Sequence, residues 1–361
     1  MKRFWALFLT AAMALSLAAC GEEQASSSST AVNSGISQPE TEAPDYNLLT
    51  GEALAEGVAP GQRPVAIMVN NAQAAMPQRG IGSADAIFEM VTEGGITRMM
   101  ALYSNAATIP QVGPVRSARD QYLQFALPLN AIFVHIGSSV YAQNLINEYQ
   151  YQDIDGLYLG TTCFWFDSER AKTYLQEHCW YTDASLIAAG IASQQIATSG
   201  AAVPLFCFAE KEVSLTELDA PDIAFQFSAN GPVRLVYDAN TKTYLKQAYG
   251  APQVDELTGA QLSFNNVIIL FADVSLKPDG QCTDFQLTGG TGYYCYGGKA
   301  EAITWSKGKA DSALKLHRAD GSELEVNRGK SYIAVVGSDQ VGTLTLNASA
   351  PAPAESTSAQ A

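Results

Sequence analysis

The chain has 361 residues, 21 basic and 36 acidic, for a formal net charge of −15. That balance disfavours nucleic acid, or an anionic surface, as the bulk partner. There are three histidines, and no two cysteines stand in C-x-x-C spacing, so no structural metal is expected. No cofactor is expected either.

Residues 1–20 read MKRFWALFLTAAMALSLAAC: two basic residues, an apolar stretch from Phe4 to Leu17, then small residues ending in cysteine. This is the plan of a signal peptide rather than of a spanning helix. Leu17-Ala18-Ala19-Cys20 resembles the bacterial lipobox, in which the cysteine is acylated, with palmitate-like chains, and becomes the mature N-terminus. Several acyl chains make a stable anchor where one does not, so the expected location is the extracytoplasmic face of the cell membrane. Loss of Lys2 and Arg3 with the leader leaves 19 basic residues against 36 acidic, about −17. Residues 21–60 are rich in Ser, Glu, Gln, Ala and Thr with almost no aromatics, too little apolar surface to fold, and read as a tether. Residues 347–361 read as a disordered tail. The stretch between divides, at typical domain size, into 61–205 and 206–346.

From residue 64 to about 203, short apolar runs alternate with helical patterns, which predicts an α/β (α+β) domain with a mixed sheet. Strands are expected at 65–69, 86–93, 97–104 and 131–134, and helices at 114–127, 139–149 and 168–195. From residue 206 the texture changes to VRLVYD, TYLKQAYG, NNVIILFADV, GGTGYYCYGG, AITW and SYIAVV, separated by turn signals. This predicts a β-rich C-terminal domain, a twisted sheet or partly closed barrel. Beyond Cys20 there are five cysteines, so not all can pair internally; Cys163 with Cys179 and Cys282 with Cys295 are candidate disulfides.

The basic residues are segregated. Between positions 4 and 171 there is no lysine, yet there are Arg63, Arg79, Arg98, Arg116, Arg119 and Arg170. A guanidinium forks onto two oxygens and tolerates partial burial, so the pattern points to recognition of carboxylate or phosphate, with structural ion pairs as the alternative. A two-residue turn at Gly94-Gly95 puts Val91 opposite Arg98 and groups Glu89, Glu93 and Arg98 on one face of a hairpin. Along one strand Glu89 and Glu93 stand about 13 Å apart, too far to act alone as a glycosidase pair, which needs about 5 to 9.5 Å.

In residues 113–120, GPVRSARD, proline suits a first helical turn. Arg116 and Arg119 there oppose the helix dipole, but with the free backbone N–H groups they make an anion site. Pairing of Asp120 with Arg116 is the plainer alternative. His135 ends the AIFV run and precedes Ser138, at the carboxyl end of a strand, where α/β sheets bind ligands. A Ser138 nucleophile with His135 as base lacks the G-x-S-x-G elbow, and Ser138 or Ser139 suits the N-cap of the next helix. The aromatic runs at 163–167 and 177–181 fit either a core or a sugar- or peptide-binding groove.

The motifs RPVAIMVNN (63–71), MPQRGIGSADAIFEMVTEGGITRMMALY (76–103), GPVRSARD (113–120), HIGSS (135–139) and TYLKQAYGAPQVDELTGAQLSFNNVII (243–269) together resemble the YerB-like family of bacterial lipoproteins, whose domains have no assigned function. The resemblance covers both expected domains. It implies a two-domain architecture and an envelope location, with no ligand or catalytic residue to carry over. Two departures from the family's pattern are visible: Lys246 where arginine is usual, and Gln253 near which histidine is usual. A site completed by the C-terminal half would be altered there.

Three readings follow. In the first, an arginine-lined cleft near Glu89, Glu93, Arg98, Arg116, Arg119, Asp120, His135 and Ser138 binds an anionic or zwitterionic envelope ligand, such as a wall-peptide carboxylate or a glycan phosphate. In the second, the protein is a cell-wall hydrolase or lyase with Glu93, Asp120 or His135 as acid or base. In the third, it is a non-catalytic scaffold or regulator of an envelope protein, with internal polar clusters and an exposed apolar patch elsewhere.

Overall fold

Three runs that are apolar almost throughout become strands buried along their whole length: Val65–Asn70, Asn266–Ala272 and Ser331–Gly337. Continuous apolarity of this kind belongs to strands covered on both faces. The computed structural model describes residues 44–229 and 231–348. The leader, Cys20 and most of the expected tether and tail lie outside the described residues.

The main sheet has eleven strands. Ten follow one another across it: Lys315–His317, Lys299–Ser306, Gly289–Tyr296, Asn266–Ala272, Ser331–Gly337, Ala86–Val91, Thr97–Tyr103, Val65–Asn70, Ile132–His135 and Asp153–Asp155. Leu218–Asp219 pairs with Lys299–Ser306. Ser331–Gly337 is parallel to both of its neighbours, so one sheet draws strands from both sides of residue 205. A second sheet is built on Asp222–Gln226, Pro232–Asp238 and Thr243–Ala248. Its strands bury alternate residues, as expected where one face is covered. The mixed sheet and the strand-rich C-terminal half are thus both present.

Several local expectations need correction. The helix expected at 114–127 begins at Asp120. Before it, the backbone is extended and bonds to neighbouring segments: Asn70 N donates to Pro114 O, Val115 N to Trp180 O, Arg116 N to Met68 O and Ala118 N to Gly137 O. Those partners replace the bonds a helical turn would have made. Of 168–195 only Ala184–Gln194 is a long helix, because Trp180–Tyr181 pairs with Trp165–Phe166. The stretch assigned to the tether also enters the core, where Leu48 and Leu49 are buried and Asn47 donates to Ser104 Oγ. The helix expected at 139–149 stands as Val140–Glu148, with Ser139 as its N-cap accepting from Ala142 N.

The most consequential correction is a register. The turn between Ala86–Val91 and Thr97–Tyr103 holds three residues, Glu93–Gly95, with Gly94 and Gly95 at φ of 70° and 73°. Arg98 therefore faces Met90, and Glu89 faces Met99. A slip of one residue moves every side chain to the other face, so Glu89 is separated from Arg98 and Glu93.

On its own face Glu89 is 1% exposed and meets Lys246, which is 0% exposed, at 3.1 Å. Its Oε1 accepts from Asn71 (2.8 Å) and Thr97 (2.7 Å), and its Oε2 from Tyr332 (2.7 Å). Lys246 also donates to Gln253 at 2.7 Å, and Gln253 to Asn71 at 2.9 Å. Lys246 and Gln253 thus both belong to an internal brace joining the two halves. Removing one member of such a pair strands a buried charge, at a cost of about 3–5 kcal/mol. Lys246→Met is expected to lower unfolding stability in urea by about that amount, and Glu89→Gln added to it to restore much of the loss. A single-variant loss below about 1 kcal/mol would show that the pair is not the brace described.

Candidate functional site

The other face of the hairpin carries an arginine cluster. Arg98, with a side chain 5% exposed, donates through Nη1 to Ser117 O at 2.9 Å and through Nη2 to Glu93 at 3.4 Å. Arg119 holds Glu93 more closely, with Nε at 2.5 Å from Oε1 and Nη2 at 3.0 Å from Oε2. Arg116 pairs with Glu177, which is half exposed, at 3.3 Å. Burial first, then the charges of Arg119 and Arg116, push the Arg98 guanidinium down to about 10 despite the attraction of Glu93. Burial raises the Glu93 carboxyl, but the hydrogen bond and charge of Arg119 and the charge of Arg98 outweigh it and hold the group below its ordinary value. Arg98 and Arg119 together carry more positive charge than Glu93 offsets.

Glu93 also stands in the wall of a cleft of about 300 Å³, with Val91 to Gly95, Phe227, Val274 to Leu276, Gln281 and Thr283. Gly337 and Asp339 complete it. The cleft lies at the carboxyl ends of three adjacent parallel strands, Ala86–Val91, Ser331–Gly337 and Asn266–Ala272. Crevices at such strand ends are the usual ligand sites of parallel sheets. None of the three arginines is among the residues of the cleft wall, and Arg98 and Arg119 meet it through Glu93.

Asp120 takes the first position of its helix, where a negative charge suits the dipole. It pairs with Lys277 at 2.9 Å rather than with Arg116, and Lys277 is shared with Asp284 at 2.8 Å. Cys282 lies near Glu93, and burial, then Asp279 and Glu93, push its thiol up to about 12, so it offers no thiolate nucleophile. Each cysteine at 163, 179, 207, 282 and 295 is a free thiol.

His135 is fully buried, with Nδ1 2.8 Å from the Gly137 carbonyl and Nε2 2.7 Å from Asp153. Ser138 Oγ donates to Gln143 at 3.2 Å, so the Ser138 and His135 pairing is not formed. The aromatic runs stack on each other, Trp165 on Tyr181 at 5.3 Å and Phe166 against Trp180 at 5.1 Å, and do not line this cleft. No group of three or more His, Cys, Asp or Glu among the described residues is placed to hold a metal ion.

The remaining arginines of the lysine-free stretch are braces. Arg63 donates to the carbonyls of Asn130 and Ala197. Arg79 and Arg170 both bind Glu256, at 2.9 and 3.0 Å, and Arg79 also binds Asp167 at 2.8 Å. Segregation of basic residues therefore has two causes: Arg98 and Arg119 hold a cleft-facing carboxylate, and Arg116 pairs with Glu177. Sequence reasoning missed the C-terminal contribution of Lys277, Gln281 and Thr283, whose approach depends on a long-range strand pairing that no local signal announces.

Residues 49–197 match the N-terminal domain, and residues 223–333 the C-terminal domain, of a family described as "Protein of unknown function (DUF3048)". The chain is 28% identical over 280 residues to "Putative lipoprotein YerB" of Bacillus subtilis (strain 168), covering 76% of this chain and 81% of that protein. It is similar to the crystal structure of the YerB protein from Bacillus subtilis, with a TM-score of 0.73 and 25% identity, over 82% of this chain and 97% of that one.

Because the native Glu93 carboxyl lies below its ordinary value, the stability it contributes is complete above the unfolded value and is lost as pH falls through the native one. Glu93→Gln is expected to flatten the dependence of Tm on pH in the acid range, from about pH 5 downward, relative to the native chain. Parallel curves would place the Glu93 contacts outside the folding energetics.

Proposed function

The chain belongs to the DUF3048 family, and we propose that it is an extracytoplasmic lipoprotein, held to the membrane by lipid on Cys20, that binds an anionic or zwitterionic cell-envelope ligand through Arg98, Arg116 and Arg119. One observation carries the binding reading: Arg98 and Arg119 converge on a single carboxylate, Glu93, at the wall of a cleft at parallel strand ends. Guanidiniums held in that way are preorganised for a carboxylate or phosphate. The name of the Bacillus subtilis relative, with the leader and lipobox of this chain, supports the anchor.

Binding fits these side chains better than hydrolysis or lyase chemistry. Arg119 and Arg98 favour the ionised form of Glu93, which suits it poorly to give up a proton. His135 is sealed from the cleft, and Asp120 is tied to Lys277. The scaffold reading has one observation in its favour, the adjacent Leu157 and Tyr158, 69% and 79% exposed.

Charge-assisted hydrogen bonds contribute about 1.5–3 kcal/mol each. In calorimetric titration of the full chain with wall-peptide carboxylates and phosphorylated sugars, Arg116→Ala/Arg119→Ala is therefore expected to weaken a binding compound by at least about tenfold. Equal binding by the double variant would remove these arginines from the site. Cys20→Ala is expected to move the protein from the membrane fraction to the soluble fraction, and its retention on the membrane would contradict the anchor.

A further inference from the structure

Glu93 occupies the arginine fork as a ligand would. Its two oxygens take Nε and Nη2 of Arg119, with Nη2 of Arg98 as a third donor. It sits on a turn whose next two residues, Gly94 and Gly95, have positive φ, and a Cβ built at Gly94 would meet nothing within 4 Å. The turn thus has open space at Gly94, while Ser228 Oγ donates to the Gly95 carbonyl at 2.6 Å.

Another wall of the same cleft is the strand Val274–Leu276, which pairs with Thr283–Phe285. Lys277 N donates to Cys282 O at 2.8 Å and Gln286 N to Asp273 O at 2.9 Å. Hydrogen-bonded pairs alternate along an antiparallel ladder, so Ser275 also bonds to its partner, whereas the N–H and C=O groups of Val274 and Leu276 point away from it. Leu276 is 61% exposed. A strand edge with no second strand paired to it among the described residues and a filled carboxylate fork therefore adjoin one cleft.

We propose that the ligand is the carboxyl-terminal end of an extended peptide. Its terminal carboxylate takes the place of Glu93 on Arg119 and Arg98, and its backbone pairs with Val274 and Leu276. Strand addition and capture of a terminal carboxylate are both established modes of peptide recognition. A free phosphate would use the fork and leave the edge unused. The inference rests on the anion-binding reading above and narrows it to one chemical class.

The test is calorimetric titration of the full chain with N-acetyl-Ala-Ala-Ala, its C-terminal amide, a backbone N-methylated form and inorganic phosphate. The free acid is expected to bind at least about tenfold more tightly than the amide and the N-methylated form. Arg119→Ala is expected to weaken the acid by a similar factor, and Glu93→Gln to tighten it severalfold by removing the internal charge that competes for the fork. A gain of affinity in Glu93→Gln cannot come from a folding defect. Equal binding of acid and amide would overturn the inference, as would indifference to N-methylation. Phosphate binding that depends on Arg119, with no peptide binding, would overturn this inference and leave the anion reading standing. No binding of any probe to the native chain or to Glu93→Gln would overturn both.

Discussion

Ser331–Gly337 hydrogen-bonds in parallel to Ala86–Val91 on one side and to Asn266–Ala272 on the other, so the last long strand of the described chain lies at the centre of the sheet. From this placement three carboxyl strand ends emerge side by side. Thr92 to Gly95, Val274 to Leu276, and Gly337 with Asp339 then meet as walls of one cleft. The same pairing sets Tyr332 beneath Glu89, where the phenol donates at 2.7 Å.

The first hairpin then sorts charge onto two faces with opposite fates. Glu89 faces inward, where Asn71, Thr97, Tyr332 and Lys246 satisfy it completely and nothing is left to bind a ligand. Glu93 and Arg98 lie on the other side, where two guanidiniums meet one carboxylate, Arg98 is buried and Glu93 is 27% exposed. Satisfied buried networks specify a fold, whereas partly satisfied ones at a cleft are open to a further partner. The two carboxylates stand four residues apart, yet one braces the molecule and the other adjoins its cleft.

Much of the fold was legible. Runs such as NVIILFA and SYIAVV, bounded by turn signals, read as strands and are buried along their whole length, whereas TYLKQA buries Tyr244, Lys246 and Ala248 in an alternation its residue types do not show. The hairpin register was not legible, because Gly94-Gly95 serves a two-residue turn as well as the three-residue turn that includes Glu93. The helix start at 114 was misplaced because Val115 and Ala118 are buried in an extended segment at positions that also suit helical spacing. Of the candidate site residues, Arg98 and Arg119 meet at Glu93, while Arg116 pairs with Glu177, Ser138 bridges Ala118, and Glu89 and His135 have other partners. Asp120 adjoins the cluster through Lys277, a C-terminal residue whose approach depends on the central strand pairing.

The central claim is that Arg98 and Arg119 form an anion fork that can accept a ligand from outside the chain. Its most direct test is nitrogen-15 NMR of the arginine side chains while phosphate or acetate is added at constant ionic strength. A fork that admits an outside anion gives saturable shifts at the Nε–H signals of Arg98 and Arg119, with those of Arg63, Arg79 and Arg170 unmoved because carbonyls and Glu256 already hold them. Small, linear shifts shared by every arginine would contradict it, for they would mean that Glu93 closes the fork for good.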